Sequence, residues 1–510
     1  MDPSAPVSMP EVDVASDEPE RKETTKELMR REYSALKPFV IISSSYLLFT
    51  ITDGAIRMIV LLHAYNKGFS ALEVAMMFSL YETAGVVTNL LAGLLGAKWG
   101  IRWTLLAGLT LQLVGLGLLY AWQDDWSKTQ AIIYVTFAQS VSGIAKDLTK
   151  LGGKTVTKLV TPDEKQNRLF KLVSLITGWK NSLKGVGYFI GAACLAVNDD
   201  WGYEFALTVL VGIILLAYPW AFFGLDASLG TAKSQNATMK SILLTKNPNL
   251  NRLSLARLFL FGSRDLWFEV PLPFYLRTPE SEGGLGLDRT TVGLFLALYI
   301  VMYGIIQSYT PQLALGPLNQ SPPNKYSGAL WGYLIIPVTL FLAFMVQFSS
   351  IFKDHHDGGM LIVLIVGIVS FAVVFGINSS VHSYLVVRYA DGDKVAQSLG
   401  FYYMSNAAGR LTGTVLSGVL YTYAGSNKRE GFAACFWAST AFCFLAGYIA
   451  SLIKDDEEGL ICGPCTCIPT KLKPKPVEVQ VMGTPLHKLD KRETFEVNGD
   501  GAPCVQQMNN

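Results

Sequence analysis

Residues 49–57 read FTITDGAIR, inside an apolar run that extends from about 39 to 64. An apolar stretch of roughly 20 residues is enough to cross the hydrocarbon core of a bilayer. Asp53 and Arg57 then lie near the middle of the run, where insertion scales put each charge at about 2.5–3.5 kcal/mol. A segment that can span a membrane yet carries charge at its midpoint must face something polar. The same pattern returns in the second half of the chain. FLFGSRDLWFE (259–269) lines up with it when Asp53 is set on Asp265, which also sets Phe49 on Phe261. Two more pairs follow in the same order: LYETAG (80–85) with LYIVMYG (298–304), and Lys184-Gly-Val-Gly with Arg410-Leu-Thr-Gly. Parallel repeats of this kind build transporters from two halves.

Working outward, apolar runs long enough to span recur near 39–64, 70–97, 103–122, 130–150, 169–197 and 203–224. A second set lies near 252–276, 290–310, 327–349, 359–387, 398–423 and 430–453. The chain has 510 residues, half of them hydrophobic and 16% charged, against about 25% charged in soluble domains. A net charge of +2 gives no reason to expect nucleic acid as a partner. The expected organisation is a disordered cytoplasmic tail (1–38) without the apolar core of a signal peptide, a six-helix half (39–224) and a cytoplasmic linker (225–251). A second half (252–453) and a disordered cytoplasmic tail (454–510) follow. With the N-terminus inside, inner segments hold 28 Lys and Arg and outer loops hold 7, so both termini are expected in the cytoplasm. The plasma membrane is the expected location.

Apart from charges at the helix ends, such as Glu73, Lys150, Lys171, Arg252, Glu204 and Glu430, seven basic and five acidic residues fall within these helices: Arg57, Lys146, Lys180, Lys184, Arg257, Arg264 and Arg410 with Asp53, Glu82, Asp147, Asp265 and Glu269. At full insertion cost they would exceed the roughly 5–15 kcal/mol by which a protein is stable. They must pair, snorkel or face water. Lys146, Asp147 and Arg257 lie near helix ends, where snorkelling is open to them. The twelve are confined to helices 1, 2, 4, 5, 7 and 11. Helix 10 adds Asn378 and His382.

Lys180 and Lys184 are four apart, hence on one helix face, with no acid on their own helix, and they invite either an anion or acids on neighbouring helices. Arg264 and Arg410 are suited to bidentate contact with an oxyanion. Asp53 and Arg57 are also four apart and are expected to pair within their helix. Glu82, alone on helix 2, is a proton-carrier candidate, as are Asp53 and Asp265. Cys462, Cys465 and Cys467, just after helix 12, read as lipidation sites, as ligands for a thiophilic species, or as having no role.

The stretch GLLGAKWGIRW (93–103) resembles the signature between helices 2 and 3 of the major facilitator superfamily. Gly93, Lys98, Gly100 and Arg102 fit it, while Ala97 stands where the signature has an acid. The fold class expected is therefore all-α and polytopic: a major facilitator fold of 12 transmembrane helices in two pseudo-symmetric six-helix halves, with helices 1, 4, 5, 7, 10 and 11 around the cavity and 3, 6, 9 and 12 facing lipid.

Longer segments resemble one family, the organoarsenical efflux permeases called ArsJ. They are FTITDGAIRMIVLLH (49–63), YETAGVVTNLLAG (81–93), SGIAKDLTK (142–150), TGWKNSLKGVGYFIG (177–191), FLFGSRDLWF (259–268), INSSVHSYLVVRYADGDKVA (377–396) and GFYYMSNAAGRLTGTVLSGVLY (400–421). The resemblance implies efflux of 1-arseno-3-phosphoglycerate, made when glyceraldehyde-3-phosphate dehydrogenase uses arsenate in place of phosphate, and hence a functional link to that enzyme. It carries over Asp53, Arg57, Glu82, Lys146, Asp147, Lys180, Asn181, Lys184, Arg264, Asp265, Asn378, His382, Asn406 and Arg410. Glu269 departs from the family pattern and receives no role.

Two other functions stay open at this point. One is transport or exchange of ordinary phosphorylated metabolites or phosphate, which needs the same cations. The other is a non-transporting membrane sensor, against which the many intramembrane charges argue. No nucleophile–base motif, nucleotide loop or metal-ligand run suggests an enzyme, and no cofactor is implied.

Overall fold

In the computed structural model the described residues are 25–123, 125–159, 166–225, 247–348, 359–390, 395–455 and 459–469. Helices occupy nearly all of them. Seven are long and apolar enough to cross a membrane by length and composition: Val40–Asn66, Arg102–Tyr120, Gly202–Gly224, Arg289–Leu315, Lys325–Phe348, Gly359–Arg388 and Lys428–Ser451. These are spans 1, 3, 6, 8, 9, 10 and 12. Span 2 runs from Ala71 to about Asn89, span 4 is Lys128–Leu159 and span 5 is Gln166–Leu195. Span 7 is Pro248–Asp265 with Pro271–Arg277, and span 11 is Val395–Tyr423. These five are the less apolar ones because they carry the charges of the interior.

Helix ends follow local chemistry. Asn247, Asp288, Asn324 and Asn427 each accept backbone N–H bonds at a helix start, and Ser70 with Glu73 forms a capping box, satisfying donors that the first turn leaves unpaired.

Several boundaries differ from the sequence expectation. The first helix begins at Thr25 rather than 39, so the expected tail 1–38 is shortened; residues 1–24 lie outside the described residues. Span 4 continues to Leu159 rather than stopping at 150. The linker ends at Asn247, where the side-chain cap starts span 7, and residues 226–246 lie outside the described residues. The C-terminal segment is not wholly irregular: β1 (Leu460–Cys462) and β2 (Cys465–Ile468) form an antiparallel ribbon. It docks on the connection between spans 8 and 9 through Asn324 Nδ2 to Gly459 O (2.7 Å) and Asn319 Nδ2 to Gly463 O (3.1 Å). Cys462 beside Cys467 pushes the Cys467 thiol up, which disfavours the thiolate that metals and electrophiles require.

The expected loop between helices 2 and 3 is helical throughout, Ser79–Tyr120. Even so, the chain reverses there. Thr88 and Lys150 reach Asp147 and Asn89, so residues 81–89 run alongside 143–150 in the same direction. Gly108 packs on Thr149 and Gly115 on Ser142, in the opposite direction. The turn therefore falls between Asn89 and Arg102, on the stretch that carries Gly93, Lys98 and Gly100. Arg102 Nη2 donates to Phe222 O (2.8 Å) at the end of span 6, where a cation suits the helix C-terminus.

The two six-helix halves meet through spans 5 with 8 and 2 with 11, where glycines bring backbones together: Gly178 against Gly304, Gly185 against Ala297, and Gly418 against Ala75. Small residues are what allow membrane helices to approach closely. Large apolar side chains of spans 3, 6, 9 and 12 point outward, among them Val114, Leu216, Trp220, Phe223, Phe344, Phe348, Phe444 and Tyr448. The core between the halves is left to polar residues.

Candidate functional site

Span 7 breaks over Leu266–Val270, between its two helical pieces. Pro271 and Pro273 at the start of the second piece cannot donate to the preceding turn. The break puts Asp265 and Glu269, four residues apart, on the interior. There Glu269 receives Arg57 Nη1 (3.0 Å) from span 1 and Arg410 Nη2 (2.8 Å) from span 11. Both arginines also reach Glu82 Oε1 on span 2, at 2.8 and 2.9 Å. The result is a closed ring, Glu82–Arg57–Glu269–Arg410, with two members from each half. Arg410 Nε further donates to Asp265 (2.9 Å), and Arg264 Nη2 lies 2.6 Å from the other oxygen of that carboxylate. Three arginines thus balance three acids, all buried.

Beside the ring is a cavity of about 100 Å³. Its lining includes Asp53, Glu82, Lys146, Asp147, Lys150, Lys180, Asn181, Lys184, Arg264, Glu269, Asn406 and Arg410, with Phe49 and Phe261 at corresponding positions of spans 1 and 7. Asp53 accepts a hydrogen bond from Tyr81 Oη, and Lys146 Nζ sits 4.0 Å from the Tyr81 ring centroid. Lys150 pairs with Asp147 (3.6 Å) and donates to Asn89 (2.9 Å). Lys180 and Lys184 form no ion pair or hydrogen bond among the described residues. In the ring and cavity together, seven basic side chains meet five acidic ones. The surplus positive charge lies on the lysines of spans 4 and 5.

Contacts between the halves bridge them toward both ends of the bundle. At the end where spans 1 and 7 finish, the Tyr65 and Phe274 rings lie 5.1 Å apart and Arg277 stacks on Tyr65. At the opposite end, which carries the chain tails, Phe170 packs on Tyr384 (5.2 Å) and Ser174 bonds Ser380 (2.6 Å).

Some expectations change. Asp53 and Arg57 do not pair within their helix: Arg57 turns to Glu82 and Glu269, and Asp53 to Tyr81, because buried partners on other spans are nearer. Of the two readings of Glu82, proton carrier or charge partner, the geometry shows a charge partner of two arginines from other spans. Lys146, Asp147 and Arg257 do not snorkel, since Asp147 and Arg257 are buried and Lys146 lines the cavity. Arg264 and Arg410 reach the cavity already engaged by carboxylates. Asn181 donates to Gln307 across the interface of the halves (2.6 Å). Asn378 and His382 are buried outside the cavity lining.

Sequence reasoning gave no role to Glu269, Tyr81 or Lys150. Glu269 carried a usable signal, since it stands to Asp265 as Arg57 stands to Asp53, and these two equivalents are the residues that pair across the halves. Among the described residues, no group of three or more His, Cys, Asp or Glu side chains could hold a metal.

A charged, occludable cavity between two six-helix halves is the construction of a membrane transporter that works by alternating access. The major facilitator superfamily profile matches residues 42–381, and the chain belongs to that superfamily. Among solved structures it is similar to a bacterial homologue of the human drug peptide transporters PepT1 and PepT2. The TM-score is 0.59 at 14% identity, covering 82% of this chain and 96% of that one, a likeness of fold. A comparison with curated proteins finds no match.

Proposed function

We propose that this transporter exports a small organic polyanion from the cytoplasm, most specifically 1-arseno-3-phosphoglycerate, and so confers arsenate resistance. The observation that carries the anion reading is the unpaired lysine pair, Lys180 and Lys184, in a cavity where the other charges are largely matched. A half-buried cation without a close partner inside a membrane protein is costly. An anionic ligand with an oxyanion at each end would relieve that cost at the span 5 lysines and reach toward Arg264 and Arg410 on the other half. The choice of the arsenical rests on the resemblance of the long segments to the ArsJ permeases. The proposal includes a plasma-membrane location and both termini in the cytoplasm, the latter supported by the Lys and Arg distribution.

The test is arsenate resistance and cell arsenic content in a host lacking arsenic exporters, with and without glyceraldehyde-3-phosphate dehydrogenase. Expression should lower cell arsenic only when the enzyme is present. Resistance independent of the enzyme would remove the organoarsenical reading.

A further inference from the structure

Arg257 lies two helical turns before Arg264 on span 7, about 10.5 Å along the axis toward the tail end of the bundle. It is 4% exposed. Among the described residues it forms no ion pair. Its Nε donates to Asn406 Oδ1 (3.0 Å), its Nη1 to Ser379 Oγ (3.2 Å), and it stacks on Phe261 at 3.8 Å. Phe261 and Asn406 also line the central cavity, so Arg257 stands directly behind its wall.

The surroundings hold more donors than acceptors. Tyr303 Oη and Gln307 Nε2 also point at Ser379 Oγ, each at 3.2 Å. A hydroxyl oxygen has two lone pairs, and three donors converge on it. Tyr402 Oη, on a ring 5.3 Å from the guanidinium, is buried without a partner, as is Nδ1 of His382, one turn after Ser379 on span 10. A fully buried guanidinium in a donor-rich setting, with no carboxylate, is costly unless an anion joins it.

We propose that Arg257, with Ser379, His382, Tyr402 and Asn406, forms a second oxyanion-binding station on the tail side of the central cavity. Its ligand is the phosphate-like end of the transported anion, so the inference rests on the anion reading above. Asn406 joins the two sites. An anion entering from the tail end would meet Arg257 first and pass to Lys180 and Lys184 as the contacts Phe170–Tyr384 and Ser174–Ser380 re-form.

The test uses purified full-length protein and tungstate, an electron-dense phosphate-like oxyanion. Wild-type protein should show tungstate at the cavity lysines and, separately, within hydrogen-bonding reach of Arg257. Arg257→Gln should lose the second ion and keep the first, and its KM for transport should rise about tenfold or more. Arg257→Lys should keep the ion with weaker occupancy. Tungstate at the lysines but never at Arg257 in the wild type would overturn this inference alone. It would also fall if a folded Arg257→Gln kept both ions. Tungstate at neither place would overturn the anion reading as well. The wild-type map decides the matter even if Arg257→Gln fails to fold.

Discussion

At the scale of single residues, the interior charges fall into two kinds. Arg57, Arg264 and Arg410 are matched to Glu82, Asp265 and Glu269 at 2.6–3.0 Å, and each carboxylate serves at least two arginines or two of their nitrogens. Removing one partner of a buried pair costs about 3–5 kcal/mol, because the other is left charged and dry. Glu269→Gln would strip the shared acceptor from Arg57 and Arg410 together. Its expected outcome is a loss of about 3–5 kcal/mol in unfolding free energy, read by denaturation in detergent against wild type. A Glu269→Gln variant of unchanged stability would mean that the ring is not what holds the halves together. Lys180 and Lys184 are of the second kind: they line the cavity with Asp53 and Glu269 but form no ion pair or hydrogen bond among the described residues. Composition and spacing identified the charged positions, but not which would pair. Pairing depends on what the neighbouring spans place opposite, and one helix's spacing cannot reveal that.

At the scale of elements, the spans were legible because apolar length is a strong signal, and most boundaries agree within a few residues. Three features were not. The turn between Asn89 and Arg102 falls where the sequence puts the connection of helices 2 and 3, but its helical backbone was not legible. The interruption of span 7 hides inside an apolar stretch, though Pro271 and Pro273 mark its far side. The ribbon at 460–468 depends on docking against another loop. Close packing sets where the site residues sit. A Cβ at Gly54 would stand 2.3 Å from Lys184 O, and one at Gly187 only 2.1 Å from Ile51 O, so these glycines fix span 5 against span 1 and hold Lys184 level with Asp53. Gly187→Val should force the two spans apart, with a loss of about 1–3 kcal/mol and a lower melting temperature in detergent. Gly117→Ala, which meets nothing within 4 Å, should melt as wild type does. Equal melting of the two variants would contradict the packing account.

At the scale of the molecule, the parallel repeat visible in FTITDGAIR and FLFGSRDLWFE becomes a working device. Equivalent positions Arg57 and Glu269 pair across the halves, and equivalent positions Lys184 and Arg410 face one cavity. Tyr65 with Phe274 bridges the halves toward one end, and Phe170 with Tyr384 toward the other. Opening either end in turn exposes the same charges to opposite sides, and a ligand biases that equilibrium only by binding the states unequally. We propose that Lys180 and Lys184 recognise the anion being moved. The most direct test is flux of 3-phosphoglycerate, a stable relative of the proposed substrate, into proteoliposomes holding wild type or the Lys180→Gln, Lys184→Gln double variant. Saturable flux is expected in wild type and a fall of about tenfold or more in the variant, with melting temperature unchanged or raised because two half-buried charges without close partners have been removed. Wild-type flux from a well-folded double variant would contradict it.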